Sequence, residues 1–375
     1  MLWVFGLHLL NFKETGFRLI LFKIRTLITI VSSTTMLLFL LVKIIQSKND
    51  LMSAFETCYY SLIQAAFVIK LYIYLHYLPI LIELENKLES NIFNGHKQDQ
   101  LHFISDAIKS HQTYLGFYKI CCVSTAIFYS IFPALDGQQL AVPIYSPLDL
   151  KKYRLIVYLY EACNFFITAC NNTAFDGTVI ALITIMAAQI DVLKDNLIRA
   201  TLRDQTVDAK DQERCIHKRL KHCVIHHDAI LDFTKTTQKI FSNGVFVQIL
   251  VSVLGICMTG IVFLTVPLKS MKFISMVLFL ITQVVQIGMF CWFGENIRAK
   301  SSEIAQSCYM AHEWYSNNMS NKKILFIIME RAKVPIIFKA NGVFVLTLNT
   351  FVMVLRSGYS YFTVLRHISQ NMDLS

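Results

Sequence analysis

A charged segment in the middle of the chain carries side chains of the types that bind metal ions. His222 and His226 are four residues apart, which places both on one helix face, and Cys223, His227 and Asp228 are adjacent. No His-Glu-x-x-His or paired Cys-x-x-Cys accompanies them, and a solvated helix with one wet face explains the same residues. We also find no glycine-rich phosphate loop, serine elbow or catalytic carboxylate pair. The sequence therefore predicts no metal, no cofactor and no enzymatic activity.

The last apolar segment holds a second group of polar residues, within "VLRSGYSYFTVLRH" at 354–367. Residues that recur at helical spacing form one stripe: Met353, Ser357, Ser360, Tyr361, Val364 and Ile368. One interpretation is a pore face, wet near the serines and narrow at Val364. The alternative is a helix–helix face whose small polar residues allow close packing. Arg356, a costly cation inside a span, is expected to serve packing or hydrogen bonding.

The composition indicates which elements must position these residues. The chain of 375 residues is 55% hydrophobic and 16% charged, whereas soluble domains have about 45–50% apolar and about 25% charged residues. A helix needs roughly 20 apolar residues to cross a bilayer. We identify seven runs, at 26–45, 52–82, 113–135, from 153 onward, 244–268, 273–293 and 342–365. The fold class predicted is an all-α membrane protein with seven transmembrane helices.

The basic residues predict the orientation of these helices. If the N-terminus is cytoplasmic, 24 of the 35 Lys and Arg residues lie inside and eight lie outside. The positive-inside rule therefore favours a cytoplasmic N-terminus. A G-protein-coupled receptor requires the opposite orientation, and its Asp-Arg-Tyr and Asn-Pro-x-x-Tyr signatures are missing. Because the basic residues flank apolar segments, the net charge of +10 indicates topology control and not a nucleic-acid partner.

Two apolar stretches do not fit inside a bilayer. The fourth run covers 38 residues at 153–190, a helix of roughly 57 Å against a hydrocarbon core near 30 Å. Residues 322–338 are apolar but too short to span and contain Pro335. An apolar helix in the cytosol must bury against protein. We therefore expect a cytosolic helical anchor that packs internally or against other subunits; a re-entrant or interfacial helix is the alternative.

Five regions follow from this division. We predict an interfacial helix and spans one to four at 1–190, a charged cytosolic connection at 191–243, spans five and six at 244–293, cytosolic anchor helices at 294–341, and a seventh helix with a short extracellular tail at 342–375. No internal repeat is found and the span count is odd, which argues against a transporter built from inverted halves.

The C-terminal third resembles the insect odorant receptors over about 75 residues. The resemblance rests on an aromatic-Gly pair at 293–294, on Ser302 and Tyr309, on the Trp314-Tyr315 pair, on Pro335, and on Ser-Tyr-aromatic at 360–362. The family often has Thr-Ala-Gly after the proline, where this chain has 339–342 as Lys-Ala-Asn-Gly, a difference expected to alter only the start of the last helix. The extra length of the shared co-receptor is absent, so the chain is similar to a ligand-tuned subunit.

This resemblance implies an odorant-gated, non-selective cation channel. It implies a heterotetramer with odorant co-receptor subunits in the plasma membrane of olfactory neuron dendrites, joined through cytosolic anchor residues such as Tyr309, Trp314, Tyr315 and Pro335. The seventh helix would line a central pore, with Val364 as an apolar gate. The alternative left open is a seven-helix G-protein-coupled chemoreceptor.

The resemblance also implies an odorant pocket in the outer half of the membrane, among spans two, three, four and six. The aromatic and aliphatic residues of that region suit a small volatile that is bound mainly by burial, and their aromatic content favours an aromatic odorant. The candidates are Tyr59, Tyr60, Ile63, Phe67, Phe128, Tyr129, Phe132, Tyr158, Phe165, Met276, Phe279 and Leu280. Each of these side chains also fits an ordinary core or lipid-facing position.

Overall fold

The computed structural model describes residues 17–47, 51–95, 97–135, 140–203, 208–263, 267 and 270–372. The helices are α1 (Phe17–Gln46), α2 (Leu51–His76), α3 (Leu78–Leu88), α4 (Asn91–Asn94), α5 (Leu101–Leu135), α6 (Leu150–Arg199), α7 (Ala209–Phe263), α8 (Met271–Ser302), α9 (Ile304–Tyr309), α10 (Met319–Ala332) and α11 (Leu348–Met372). Two short strands are β1 (Lys339–Ala340) and β2 (Phe344–Val345), and single 3-10 turns lie at Gln98–Gln100 and Trp314–Ser316.

The protein is an all-α membrane protein, as the sequence predicts. Six described helices are long and apolar enough to cross a bilayer, namely α1, α2, α5, α6, α7 and α8. The seventh long helix, α11, covers 25 residues and carries the polar stripe, so its composition is less apolar. The predicted interfacial helix at the extreme N-terminus lies outside the described residues.

The long helices pack as a bundle around α5, α6, α7 and α8. Helix α5 packs against α6 and α8, α2 packs against α1 and α7, and α7 also contacts α6 and α11. One apolar core runs through the bundle and continues beyond the predicted spans, where Val179, Ile183 and Ile190 of α6 are at most 1% exposed. The apolar extension of the fourth run is therefore buried against protein, as predicted.

We call this extension the anchor region: residues 179–199 of α6, 209–243 of α7, and 294–338. Helices α9 and α10 close it, with Leu325 and Ile328 of α10 inside the core. The boundary predicted between 243 and 244 falls within α7, which runs through without a break. His226, predicted to lie on a solvated helix, is 1% exposed, and its Nε2 lies 3.0 Å from Oε1 of Gln189. Within the described ranges no three His, Cys, Asp or Glu side chains group in a way that could hold a metal ion.

The predicted second span at 52–82 is not one helix. Helix α2 ends at His76, Tyr77 leaves helical geometry (φ −95°, ψ 7°), and α3 begins at Leu78 with Pro79 in its first turn. Proline has no backbone N–H to continue a helix but is well tolerated in a first turn. The chain therefore turns here, and α3 leads toward the anchor region.

The predicted start of the last helix at 342 is also wrong. Strands β1 and β2 pair antiparallel, with Lys339 opposite Val345, and the turn between them has positive φ at Asn341 (48°) and Gly342 (70°). Asn-Gly is the sequence signature of such a turn, because both residues accept a left-handed backbone. Helix α11 consequently begins at Leu348, six residues later than predicted.

The close approach of this hairpin to α8 requires a glycine. A Cβ on Gly294 would lie 2.5 Å from Cβ and from the backbone oxygen of Leu346. The aromatic-Gly pair at the end of the sixth span is thus a packing requirement: Phe293 is 2% exposed in the core, and Gly294 lets the strand leading to α11 lie against α8.

Candidate ligand-binding cavity

A cavity lies between α1, α2, α5, α6, α7 and α8, in the part of the bundle outside the anchor region. Its volume is about 120 Å³, comparable to the roughly 150 Å³ engineered cavity that binds benzene in another protein. Apolar walls dominate, with a minority of polar groups, as in most small-molecule sites. The lining residues are Met36, Leu40, Tyr60, Ile63, Gln64, Ala66, Tyr118, Cys122, Thr125, Ala126, Tyr129, Phe165, Thr168, Ala169, Asn172, Gln248, Val251, Phe279, Thr282, Gln283 and Gln286.

Five of the twelve predicted pocket residues line this cavity, one or two from each of the four predicted helices. The ring of Tyr60 lies edge-on to that of Tyr129 at 5.7 Å between centroids and 6.1 Å from that of Phe165. Phe279 approaches Tyr129 edge-on at 6.5 Å. The lining members of the predicted set are Tyr60, Ile63, Tyr129, Phe165 and Phe279.

The other seven predicted residues lie outside the lining. Tyr59 forms a second layer, edge-on to Phe279 at 4.8 Å. Phe128 and Phe132 stack on each other at 4.7 Å. The hydroxyl of Tyr158 donates to the backbone oxygen of Ser130 at 2.5 Å. The remaining three, Phe67, Met276 and Leu280, are buried or half-buried without lining the cavity.

Segment 140–146, between α5 and α6, covers part of α1 beside the cavity. Val142 and Ile144 are buried against Met36 and Leu40, which also line the cavity. Oε2 of Glu161 accepts a hydrogen bond from the Ala141 backbone nitrogen at 2.9 Å. The loop is therefore held to the helices by apolar burial and by a fully buried carboxylate.

A buried ion pair lies beneath the polar side of the cavity. Nζ of Lys70 is 2.8 Å from Oδ1 of Asp176, and these side chains are 1% and 0% exposed. Lys70 also donates to Oδ1 of Asn172 at 2.9 Å, and the hydroxyl of Tyr118 donates to Oδ2 of Asp176 at 3.0 Å. Gln286 donates to the same carboxylate oxygen. Asn172, Tyr118 and Gln286 line the cavity, so the ion pair holds in place the polar side chains that form its floor.

Sequence reasoning missed this polar floor. Neither Asp176 nor Lys70 is predicted from the sequence to belong to a site. The missed lining residues include four glutamines inside apolar helices: Gln64, Gln248, Gln283 and Gln286. Polar side chains inside membrane spans are costly and usually face the bundle interior, so their positions were an available signal.

The predicted stripe of α11 is turned away from the rest of the protomer. Met353, Tyr361 and Val364 are 45%, 56% and 55% exposed, and Ser360 is exposed as well. Ser357 is half-buried, and Ile368 lies in α11 beyond the side chains that the structure describes. A neighbouring face of α11, about a quarter turn around the helix, packs on the bundle through Thr350, Val354 and Gly358.

Helix α7 contacts both the cavity and α11. Gln248 and Val251 line the cavity. One to three turns further along, a Cβ on Gly358 of α11 would lie 2.8 Å from Ile256, and a Cβ on Gly260 would lie 2.6 Å from the Phe362 ring. The two glycines thus permit close packing between α7 and α11.

The predicted anchor residues lie at the surface of the anchor region. Tyr309 and Tyr315 are 65% and 67% exposed, while Trp314 is half-buried with its ring 6.2 Å from that of Phe326. Pro335 is half-buried beside Ile336, whose backbone nitrogen donates to Oγ of Ser301 at 2.9 Å.

Comparison with known proteins places these features in context. The family model described as 7tm Odorant receptor matches residues 50–359. Odorant receptor 94a of Drosophila melanogaster is 25% identical over 334 residues, which covers 86% of this chain and 82% of that protein. Odorant receptor Or1 of Anopheles gambiae is 21% identical and covers 75% of this chain and 73% of its own length.

The fold has a counterpart among solved structures. The insect olfactory receptor OR5 from Machilis hrabei in complex with eugenol superposes with a TM-score of 0.82, covering 93% of this chain and 90% of that one at 14% identity. At this identity the likeness is one of fold alone, and it extends over the spans and the anchor region.

Proposed function

The chain belongs to the insect odorant receptor family, and on that premise we propose that it is an odorant-sensing subunit of a ligand-gated, non-selective cation channel. The observation that best supports this proposal is the presence of two separate features in one protomer. A small cavity with aromatic walls suits a volatile molecule, and α11 leaves its polar stripe available to a space outside the protomer. A receptor that signals only through a partner protein does not need a polar helix face that is open to a space outside the protomer.

We propose that the odorant binds in the cavity between α2, α5, α6 and α8. Tyr60, Ile63, Tyr129, Phe165 and Phe279 then contact the ligand directly, and Tyr59 holds the ring of Phe279 in place from behind. Burial of an apolar ligand is worth about 25 cal/mol per Å² of apolar surface removed from water. The apolar walls therefore supply the main driving force for binding an aromatic volatile.

We propose that α11 lines a central pore shared by several subunits. Met353, Ser357, Ser360 and Tyr361 face that pore, and Val364 and Ile368 narrow it toward the C-terminal end of the helix. Ring-like apolar constrictions block ions by excluding water. The exposure of Met353, Ser360, Tyr361 and Val364 supports this assignment, because these side chains remain available to a space outside the protomer.

We propose that the anchor region joins this chain to odorant co-receptor subunits in a heterotetramer. Apolar side chains crowd its surface: Tyr309, Met310, Tyr315, Met319, Phe326, Ile327 and Val334 are each more than half exposed. Exposed apolar patches of this kind mark interaction sites in proteins that function as assemblies. Pro335 restricts the backbone between the end of α10 and the start of β1, at the edge of this surface.

We propose a cytoplasmic N-terminus, which the charge distribution supports; the anchor region then lies in the cytosol and the cavity lies within the membrane. A subunit so oriented serves in the plasma membrane, with olfactory neuron dendrites as the expected site.

Co-expression with an insect co-receptor tests the proposal. Currents are recorded from cells in response to a chemically diverse odorant panel, with co-receptor alone and this chain alone as controls. We expect odorant-evoked cation currents only from the combination, with no need for G-protein activation. An epitope at the N-terminus is expected to stain only after permeabilisation.

A G-protein-coupled chemoreceptor is the competing outcome. N-terminal staining on intact cells, together with odorant responses that require a G protein and no co-receptor, would overturn the channel proposal in its favour.

A further inference from the structure

The polar side of the cavity is organised by one directional chain of hydrogen bonds. Gln286 donates Nε2 to Oδ2 of Asp176 and accepts at Oε1 from Nε2 of Gln248 at 2.8 Å. Gln248 donates its second amide hydrogen to Oγ of Ser252 at 3.1 Å. Ser252 in turn donates to Oε1 of Gln283 at 2.8 Å. Three amides from α7 and α8 are thus connected to one carboxylate.

The direction of this chain follows from chemistry. An ionised carboxylate only accepts hydrogen bonds, so Gln286 must present its NH₂ group to Asp176. The carbonyl of Gln286 can then only accept, so Gln248 must present its NH₂ group. Both hydrogens of Gln248 are consumed, and Ser252, which accepts one of them, donates its own hydroxyl hydrogen to the carbonyl of Gln283 in the structure.

The chain ends with an amide group that has no protein partner. Gln283 is 7% exposed, lines the cavity, and uses only its carbonyl; its Nε2 donates to none of the described residues. Gln64, by contrast, has partners for both ends of its amide: it donates to the backbone oxygen of Ser33 and accepts from Thr168. A buried donor without a partner loses the free energy of a hydrogen bond unless a ligand supplies an acceptor.

We infer that the cavity selects small, mainly apolar ligands that carry an acceptor oxygen (ketone, aldehyde, ester, ether or alcohol), and that Gln283 Nε2 is the group that recognises this oxygen. The inference deepens the proposed function and rests on the cavity being the odorant site. Gln248 keeps its own carbonyl oxygen without a partner among the described residues, so a ligand hydroxyl also has a place for its hydrogen.

Lys70 maintains the direction of the chain from outside the cavity. Its ammonium group lies 2.8 Å from Oδ1 of Asp176, which leaves Oδ2 of that carboxylate to accept from Gln286. Lys70 and Asp176 are thus positioning residues, and Gln283 is the group that contacts the ligand.

The test compares two ligands of matched shape, acetophenone and cumene, which differ by a carbonyl oxygen in place of a methyl group. Dissociation constants are measured on the purified full-length protein in detergent, by ligand-dependent thermal shift. The quantity of interest is the ratio of the two constants in wild type and in Gln283→Met, which keeps the side-chain length but has no donor. We expect the variant to lower the preference for acetophenone about tenfold, the effect of one hydrogen bond.

Two further variants make the result specific. Ser252→Ala does not alter the lining but releases the Gln283 amide, so it should lower the same ratio. Ile63→Val removes one methylene group from the apolar wall and so enlarges the cavity. It should weaken the binding of both ligands and leave the ratio of their dissociation constants unchanged. A wild-type ratio that neither Gln283→Met nor Ser252→Ala alters would overturn the inference.

Binding and gating are separated by this design. A ligand preference that depends on Gln283 in a protein that never conducts would sustain the inference and contradict the proposed channel function. Odorant-gated currents with equal responses to both ligands, in wild type and variants, would sustain the proposed channel function and contradict the inference.

Discussion

Lys70 of α2 and Asp176 of α6 form an ion pair at 2.8 Å with essentially no exposure to solvent. The two residues are 106 positions apart in the chain. Three further side chains, Asn172, Tyr118 and Gln286, complete the hydrogen bonds of the pair. The pair thereby joins α2, α5, α6 and α8 beneath the cavity.

Removal of either charge should strongly destabilise the protein. Lys70→Met leaves a buried carboxylate without its cation, and Asp176→Leu leaves a buried ammonium, which costs about 3–5 kcal/mol. The double variant should recover much of this loss, because no uncompensated charge remains. Thermal melting in detergent measures the stability of all three variants.

The control is Lys87→Met. Its partner Asp232 is 65% exposed and lies 3.3 Å away, and exposed pairs contribute only about 0–1 kcal/mol. Equal losses for Lys70→Met and Lys87→Met would contradict the prediction.

Phe279→Leu should change odorant selectivity, whereas Phe128→Leu should not. Phe279 lines the cavity, so the smaller side chain enlarges it and shifts the preference toward bulkier ligands. Phe128 stacks on Phe132 away from the lining. Dose–response curves for ligands of increasing size, recorded from co-expressed channels, measure the shift. Altered size selectivity in the Phe128 variant alone would indicate that the ligand binds elsewhere.

Val364→Lys should reduce cation conductance and introduce rectification, because it adds positive charge to the stripe proposed to line the pore. Tyr359→Lys is the matched control: it adds the same charge to an exposed position on a different face of α11. Single-channel conductance and reversal potentials report the difference. If both variants conduct like wild type, the stripe does not line the pore.

Gly294→Ala should displace the hairpin and lower surface expression. The added Cβ would lie 2.5 Å from the Cβ and from the backbone oxygen of Leu346. This clash can be relieved only if the backbone of the hairpin moves. Gly116→Ala has nothing within 4 Å of the new Cβ and lies inside α5, so it should be neutral or stabilise by about 0.5–1 kcal/mol. Surface biotinylation and thermal melting compare the two. Normal expression of Gly294→Ala would show that the hairpin can shift after all.

The sequence was sufficient to predict the spans and the anchor region, because apolar runs and their excess length are direct consequences of a bilayer of fixed thickness. The division of the second span at Tyr77 and the start of α11 at Leu348 were missed. In both places the local signal was present, as Pro79 and as Asn341-Gly342, but the surrounding residues are apolar and continue the helical pattern.

The cavity was only partly predictable, for a geometric reason. Successive helix residues differ by about 100° around the axis, so Phe128 and Tyr129 point in different directions, and only the packed rotation of α5 decides which one lines the cavity. Hydrophobic character does not separate them. The pairing of Lys70 with Asp176 likewise depends on the docking of α2 against α6, which no local pattern contains.

Helix α7 is unbroken for 55 residues, and its stiffness has a mechanical consequence. Val251 at the cavity wall and Ile256 at the α11 contact are separated by five residues, about 7.5 Å along the axis. No loop lies between them to absorb strain, so a small tilt or axial rotation of this rod at the cavity displaces its contact with Gly358 in the same movement. The cavity proposed to bind the odorant and the helix proposed to conduct are therefore mechanically linked through α7, over a distance of less than two helical turns.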